Sequence, residues 1–364
     1  MENIGIYIHI PFCKQKCSYC DFVSFANKEI YEQQYIETVK KEIEYKAKTK
    51  YQISTIYIGG GTPSILSKKE LNKLFSITNK LNIEPNYEFT IEANIADINE
   101  DFLKLCKNNK VNRLSIGIET INDKFYKFLN RENNMEDIKS KILLAKKYFS
   151  NINIDLMYAF PNETIEDLKC DLDFFKSLDV EHISIYSLII EENTKLYIDG
   201  IKPISEELDR EMYYYIIDYL ENIGYKHYEI SNFSKKGLES RHNLNYWNNL
   251  NYYGFGLGAS GYIENTRYTN TRGINSYLKG NYRIYEEKLD KNKMMEEELI
   301  CGLRKMKGIN EKTFKEKFGI DIRDVFNIDD LINKGLLIEE DNYIYIPKDK
   351  LYVSNNILLN FILD

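Results

Sequence analysis

Cationic excess is missing from this chain. Its 49 lysines and arginines are outnumbered by 56 aspartates and glutamates, a net charge of −7. A general polyanion-binding role is therefore disfavoured. Long apolar runs are absent as well: no segment approaches the roughly 18 consecutive apolar residues of a membrane-spanning helix. The first apolar stretch, Ile4 to Ile10, is too short for the apolar region of a secretion signal and its flanks. Cysteine is sparse, at six residues, and Cys106, Cys170 and Cys301 lie scattered and alone. Histidine is limited to His9, His182, His227 and His242, and tryptophan to Trp247. There is no low-complexity linker, and no internal repeat beyond an alternation of strands and helices. A cytoplasmic protein is expected, because free thiols persist in that compartment.

What is present is an ordinary globular balance, 43% hydrophobic and 29% charged. The length of 364 residues suits one large domain and a small one. Strands are predicted at Gly5–Ile10, Thr55–Ile58, Glu88–Ala93, Arg113–Ile118, Asn151–Tyr158 and His182–Ile190. Helices are predicted at Glu29–Lys50, from a Ser67 cap to about Leu81, from an Asn99 cap to about Asn108, within Asp123–Phe149 and over Thr164–Leu178. Six βα units in succession argue for a parallel sheet with outer helices. Right-handed crossovers wind such a sheet into a doubly wound sheet or a barrel. Polar residues favour the barrel. The Cys13–Cys20 loop, Gly59–Thr62, Glu92, Glu119 and Asp155 all fall at or near strand C-terminal ends, where barrels build their sites.

After Ile190 the pattern changes. A long helix is predicted over Ser205–Gly224, then a strand and turn at Tyr228–Phe233, and a glycine-rich segment at Gly254–Ala259. From about Met294 the chain reads as three helices and a hairpin. Lys334–Ile338, turning through Asp341-Asn342 into Tyr343–Ile346, looks like the wing of a winged-helix module. Residues 294–364 hold 14 acidic and 10 basic side chains, a net of −4. No basic stripe supports nucleic-acid binding, so a packing or lid role is expected. The expected division is 1–235 for the barrel, 236–293 for a connecting segment and 294–364 for the C-terminal domain.

The most specific local signal is Cys13-Lys14-Gln15-Lys16-Cys17-Ser18-Tyr19-Cys20, a CxxxCxxC after a strand and a turn at Pro11-Phe12. Cysteine thiolates are soft ligands and hold iron–sulfur clusters; three of them would leave one iron of a cubane open. Zinc competes, although a structural zinc site asks for four ligands, commonly in CxxC pairs, and the second pair is missing. Three free thiols are the remaining reading. Gly59-Gly60-Gly61-Thr62-Pro63 follows a strand. Glycine permits close backbone approach, but the run has neither P-loop nor GxGxxG form, and alone it also fits a tight turn. Taken singly, Glu92 and Asp155 fit solvated rim charges.

With their flanks, Tyr7-Ile8-His9-Ile10-Pro11-Phe12-Cys13 and Cys20-Asp21-Phe22, these motifs resemble the radical S-adenosylmethionine enzymes. Within them they resemble the oxygen-independent coproporphyrinogen III oxidase branch, and there its HemW-type haem chaperones. The resemblance covers nearly the whole chain, with the C-terminal module the least specific part. It implies an α/β fold: a partial (βα)6 TIM-like barrel with a small C-terminal helical, winged-helix-like domain. It implies a [4Fe–4S] cluster on Cys13, Cys17 and Cys20, and S-adenosylmethionine held by Gly60, Gly61 and Thr62 with Glu92, Arg131 (of Asn130-Arg131-Glu132) and Asp155. Tyr7 and Tyr19 match positions lining the cluster and adenine. Glu119 stands where the family usually has glutamine; it keeps an acceptor but loses the amide donor. In the family the open iron chelates the amino and carboxylate groups of S-adenosylmethionine. The reduced cluster then cleaves the sulfonium to a 5′-deoxyadenosyl radical.

Two places separate oxidase from chaperone. The oxidases continue the motif to CxxxCxxCxC, whereas residue 22 here is Phe, and they carry an N-terminal extension, whereas four residues precede Gly5 here. His242-Asn243-Leu244-Asn245-Tyr246-Trp247 matches the chaperones' HNxxYW, although Ser260 stands where they usually carry a histidine. The resemblance therefore implies a protein that binds haem, with His242 contributing, and delivers it to acceptors such as respiratory enzymes. The alternative is radical oxidative decarboxylation of coproporphyrinogen III in porphyrin biosynthesis. The resemblance leaves turnover of S-adenosylmethionine open, and it admits peripheral membrane association and a homodimer.

Overall fold

The computed structural model describes residues 2–47, 50–131 and 135–363. Alternating isoleucines set the faces of its first strand. In β1 (Glu2–Ile10), Ile4, Ile6, Ile8 and Ile10 are buried on one face, and Gly5, Tyr7 and His9 alternate with them on the other. The isoleucines join one core with Tyr35, Ile36, Val39 and Ile43 of helix α1 (Glu32–Lys46). The alternation recurs in β2 (Tyr51–Gly60), where Ile56 and Ile58 are interleaved with Thr55, Tyr57 and Gly59. Helix α2 (Lys68–Thr78), strand β3 (Ile83–Asn94), helix α3 (Glu100–Asn108) and strand β4 (Arg113–Glu119) follow. Then come helices α4 (Asp123–Leu129) and α5 (Met135–Lys146), strand β5 (Ile152–Tyr158), helix α6 (Ile165–Leu178) and strand β6 (His182–Ser187).

Local chemistry sets several helix starts as the sequence suggests. Ser67 and Asn99 each accept a hydrogen bond from the backbone three residues on, and Thr164 with Asp167 forms a capping box. Two bounds differ from expectation. Helix α1 ends at Lys46, and residues 48 and 49 of the longer predicted helix lie outside the described residues. Strand β6 stops at Ser187, where Leu188 N donates the last rung of the ladder to Tyr158 O of β5 at 2.8 Å.

The six strands pair in parallel and in chain order, with no reversal. A doubly wound sheet reverses at a switch point, so this order is that of a (βα)6 partial barrel. Among the described residues the sheet grows to twelve strands. Asn232–Ser234 and Lys226–Glu229 add beyond β6 in antiparallel fashion. On the other side Tyr252–Phe255 pairs parallel with β1, followed by antiparallel Ser260–Ile263, Thr266–Asn270 and Arg283–Lys288.

The C-terminal module holds helices Lys291–Gly302, Glu311–Phe318 and Ile328–Asn333. Its small sheet pairs Ile309–Asn310 with Tyr343–Tyr345, and the latter with Ile338–Glu340. Asp341 and Asn342 both take positive φ, the geometry of a tight two-residue hairpin and hence of the wing. The module packs on the barrel through a shared apolar core that includes Ile216, Leu299, Ile344 and Phe361.

Candidate cofactor site

Because both faces of a parallel sheet are covered, the polar residues on the inner face must find partners inside the barrel. Strand register supplies them. Ser115 lies beside Asn153 and Asn153 beside His182, and Asn153 Nδ2 donates to Ser115 Oγ and Asp155 Oδ1, each at 2.8 Å. At the C-terminal ends of the strands this interior opens into a cavity of about 560 Å³. The cavity gathers Cys13, Cys17, Tyr19, Cys20, Gly60, Gly61, Thr62, Glu92, Glu119, Arg131 and Asp155. Tyr7 and His242 do not line it.

The cysteine loop is held from several sides. Phe12–Cys13 pairs with Phe25–Ala26, and His9 Nε2 meets Val23 O at 2.7 Å, closing the loop on itself. Gln15 Nε2 donates to Asn130 O at 2.7 Å, and Lys14 forms an ion pair with Asp97, whose other oxygen accepts from Ser64 at 2.7 Å. Each sulfur then meets polar neighbours. Thr62 Oγ1 donates to Cys13 Sγ at 3.5 Å, Arg131 Nε donates to Cys17 Sγ at 3.4 Å, and Ser24 Oγ lies 3.7 Å from Cys20 Sγ. Burial pushes the Cys13 and Cys20 thiols up, and hydrogen bonds from Thr62 and Ser24 oppose it. Among the described residues, no three Cys, His, Asp or Glu side chains are set to grip a single metal ion. The three thiols line the same cavity.

The glycine run does more than turn. Gly60 has φ +117°, and a β-carbon there would fall 2.5 Å from the His9 ring. At Gly61 a β-carbon would lie 2.7 Å from Phe12 O and 2.9 Å from Cys13 Sγ. The absent side chains let Gly61 N donate to Ile10 O and Thr62 N to Phe12 O, both at 2.8 Å. The run is a close seam between the β2 loop and the cysteine loop.

Carboxylates outnumber cations around the cavity: Asp21, Glu92, Asp97, Glu119, Asp155 and Glu191 against Lys14 and Arg131. Glu92 accepts from Tyr57 Oη at 2.8 Å and Gly60 N at 2.9 Å, yet burial still raises its pKa to about 7. Burial also raises Asp155. Glu119 pairs with Arg131 at 2.5 Å, and this buried ion pair opposes the upward push of burial on the carboxyl. Glu132 of the predicted motif lies outside the described residues. Tyr19 reaches the cavity from the cysteine loop and packs beside Phe125, Met157 and Phe160.

Tyr7 and His242 lie deeper in the barrel. Tyr7 Oη meets His9 Nδ1 at 2.9 Å and faces a second cavity of about 370 Å³ that also touches Tyr246, Trp247, Tyr252 and Cys301. His242 is 1% exposed. Its Nδ1 lies 2.8 Å from Thr55 Oγ1, its Nε2 lies 2.8 Å from Tyr246 Oη, and its ring stacks on Tyr57. Burial lowers its pKa to about 3, so the ring is neutral with both nitrogens engaged. Sequence reading missed Tyr57, which steadies Glu92, and Ser24 and Asp97, which steady the cysteine loop. The period-two alternation of β2 was the signal available for Tyr57; nothing local marked the other two.

Residues 7–175 match the model of the Radical SAM superfamily, and residues 289–348 match the HemN C-terminal domain. The fold superposes on coproporphyrinogen III oxidase (HemN) from Escherichia coli, a radical SAM enzyme, with a TM-score of 0.87. That match covers 99% of this chain and 90% of the other at 21% identity, and it establishes the shared fold. Full-length relatives narrow the class. The heme chaperone HemW of Lactococcus lactis subsp. lactis is 38% identical over 369 residues, covering 98% of this chain and 97% of its own. HemW of Bacillus subtilis is 37% identical over 374 residues, with 98% of each chain covered. HemW of Escherichia coli is 29% identical, covering 100% of this chain and 99% of its own. The chain belongs to the HemW haem-chaperone family of the radical SAM superfamily.

Proposed function

We propose that this chain binds haem and hands it to acceptor proteins, on a scaffold that carries a [4Fe–4S] cluster and S-adenosylmethionine. The observation that carries the cofactor part is the cavity itself. Three thiols, each beside a polar group, share one space with an excess of carboxylates. S-adenosylmethionine bears a sulfonium and an ammonium against one carboxylate, and such a ligand suits a wall of this sign. Cys13, Cys17 and Cys20 would hold the cluster, whose chemistry is one-electron transfer at a site with one open iron. Gly60, Gly61 and Thr62 would offer backbone to the ligand. Glu92 and Asp155 would face its cations, Arg131 its carboxylate, and Tyr19 its adenine. Buried, apolar Met157 lines the same cavity.

The haem part rests on the family. His242, as found, reaches iron only if one of its two hydrogen bonds opens. Tyr7 belongs with that inner group. Haem-accepting proteins such as respiratory enzymes are the proposed partners, with the protein acting in the cytoplasm or at a membrane surface, as a monomer or a homodimer. Among the described residues no helix is long and apolar enough to cross a membrane. The working division stays at 1–235, 236–293 and 294–364.

Anaerobic reconstitution followed by two titrations tests the proposal. About four irons per chain are expected, with heat on addition of S-adenosylmethionine and a Soret shift on addition of haem. Cys17→Ala should lose the iron and the brown colour, while Cys106→Ala keeps both. One equivalent of zinc without iron after reconstitution would overturn the cluster. Decarboxylation of coproporphyrinogen III with no haem binding would return the protein to the oxidase side.

A further inference from the structure

The cavity's two cations are not equally free. Lys14 is 69% exposed and turned to Asp97. Arg131 points inward, and its guanidinium is shared between Cys17 Sγ at 3.4 Å and Glu119 Oε2 at 2.5 Å. Any anionic group entering the cavity finds its strongest partner already taken.

The pairing is built by the backbone. Strand β4 ends in a left-handed turn at Glu119, with φ 67°, a conformation that is unfavourable for a non-glycine residue. The turn swings the carboxylate back over Gly117, where a β-carbon would sit 2.7 Å from Glu119 Oε1. Asp171, from α6, fixes the next two residues: it accepts from Thr120 Oγ1 at 2.8 Å and from Ile121 N at 2.6 Å. A strained residue, a missing side chain and a buried aspartate thus converge to lay one carboxylate on one guanidinium.

We infer that Glu119 is a built-in competitor for Arg131, so that binding of S-adenosylmethionine exchanges an internal carboxylate for the ligand's own. This rests on the cofactor reading above. The physical ground is that a charge-assisted contact is held more tightly than a neutral one. The ligand must therefore displace a carboxylate rather than fill an open fork. Glu119→Gln keeps the size and one acceptor but gives up the charge, leaving the guanidinium easier to take.

The test is calorimetry on cluster-loaded wild-type and Glu119→Gln protein with two ligands, S-adenosylmethionine and its decarboxylated analogue. The inference expects the substitution to tighten S-adenosylmethionine by roughly tenfold, about 1.4 kcal/mol, and to move the analogue by less than about twofold. Unchanged or weaker S-adenosylmethionine binding in the variant overturns it. So does equal movement of both ligands, which would mark a general change in the cavity. A variant that takes up no iron overturns it too, by assigning Glu119 to support of the cysteine loop through Arg131. If wild-type protein loads iron but binds no S-adenosylmethionine, the cofactor reading itself fails, and this inference falls with it.

Discussion

Replacing Glu92 by glutamine should make folding stability depend less on pH. Glu92 is drawn from an ordinary carboxyl value of 4.5 up to about 7, chiefly by burial. Tyr57 and Gly60 hydrogen bonds and the Arg113 charge pull it back only in part. A raised carboxyl means that the folded chain holds the proton more tightly than the unfolded chain does. Below about pH 4.5 both states are protonated and Glu92 makes no difference. As pH rises from there to about 7, the unfolded chain ionises while the folded chain keeps its proton, so stability is lost; above about 7 the folded state ionises too and the loss levels off. At about 1.36 kcal/mol per pKa unit, the full cost is roughly 3 kcal/mol, less whatever water in the cavity screens. The glutamine side chain cannot ionise, and it keeps an acceptor for Gly60 N. The assay is urea unfolding of cluster-free, reduced protein across that pH range. The stability of Glu92→Gln minus that of wild type should grow by roughly 2–3 kcal/mol from about pH 4.5 to about pH 8. Glu163, Asp171 and Glu229 are also raised by burial, but they are present in both proteins and cancel in the difference. A difference that stays flat with pH would refute the reasoning, since it would mean that water reaches Glu92 freely.

Gly61→Val should lower iron uptake and weaken S-adenosylmethionine at least about tenfold by calorimetry, because its β-carbon alone would press on Phe12 O and Cys13 Sγ; unchanged affinity would count against the site. His242→Ala should cost roughly 2–4 kcal/mol in urea unfolding, by removing the imidazole that bonds Thr55 and Tyr246 and opening a void, whereas His242→Gln should recover part of that loss. A haem Soret band altered in His242→Gln as strongly as in His242→Ala would instead make His242 an iron ligand.

The sequence by itself determined the scaffold. Isoleucines at Ile4, Ile6, Ile8 and Ile10 specify a strand buried under helices, and five more βα units repeat the rule, so a parallel sheet with its site at the strand ends follows from patterning alone. The three cysteines were legible for the same reason: their spacing is local, and one loop after β1 delivers them to one cavity. Partners distant in the chain could not be read that way. His242 looked like a haem ligand beside Tyr246 and Trp247, and only the fold sets Thr55, 187 residues away, against its second nitrogen. Gly61 fitted a simple turn until the backbone of Phe12 lay against it. Glu119 read as a departure from the family's glutamine, and its hold on Arg131 depends on a single positive φ and on Asp171 in a neighbouring helix. Periodicity along the chain decides which face a residue takes. Register, crossover and backbone turn decide what it meets there, and those are settled only when the strands close side by side.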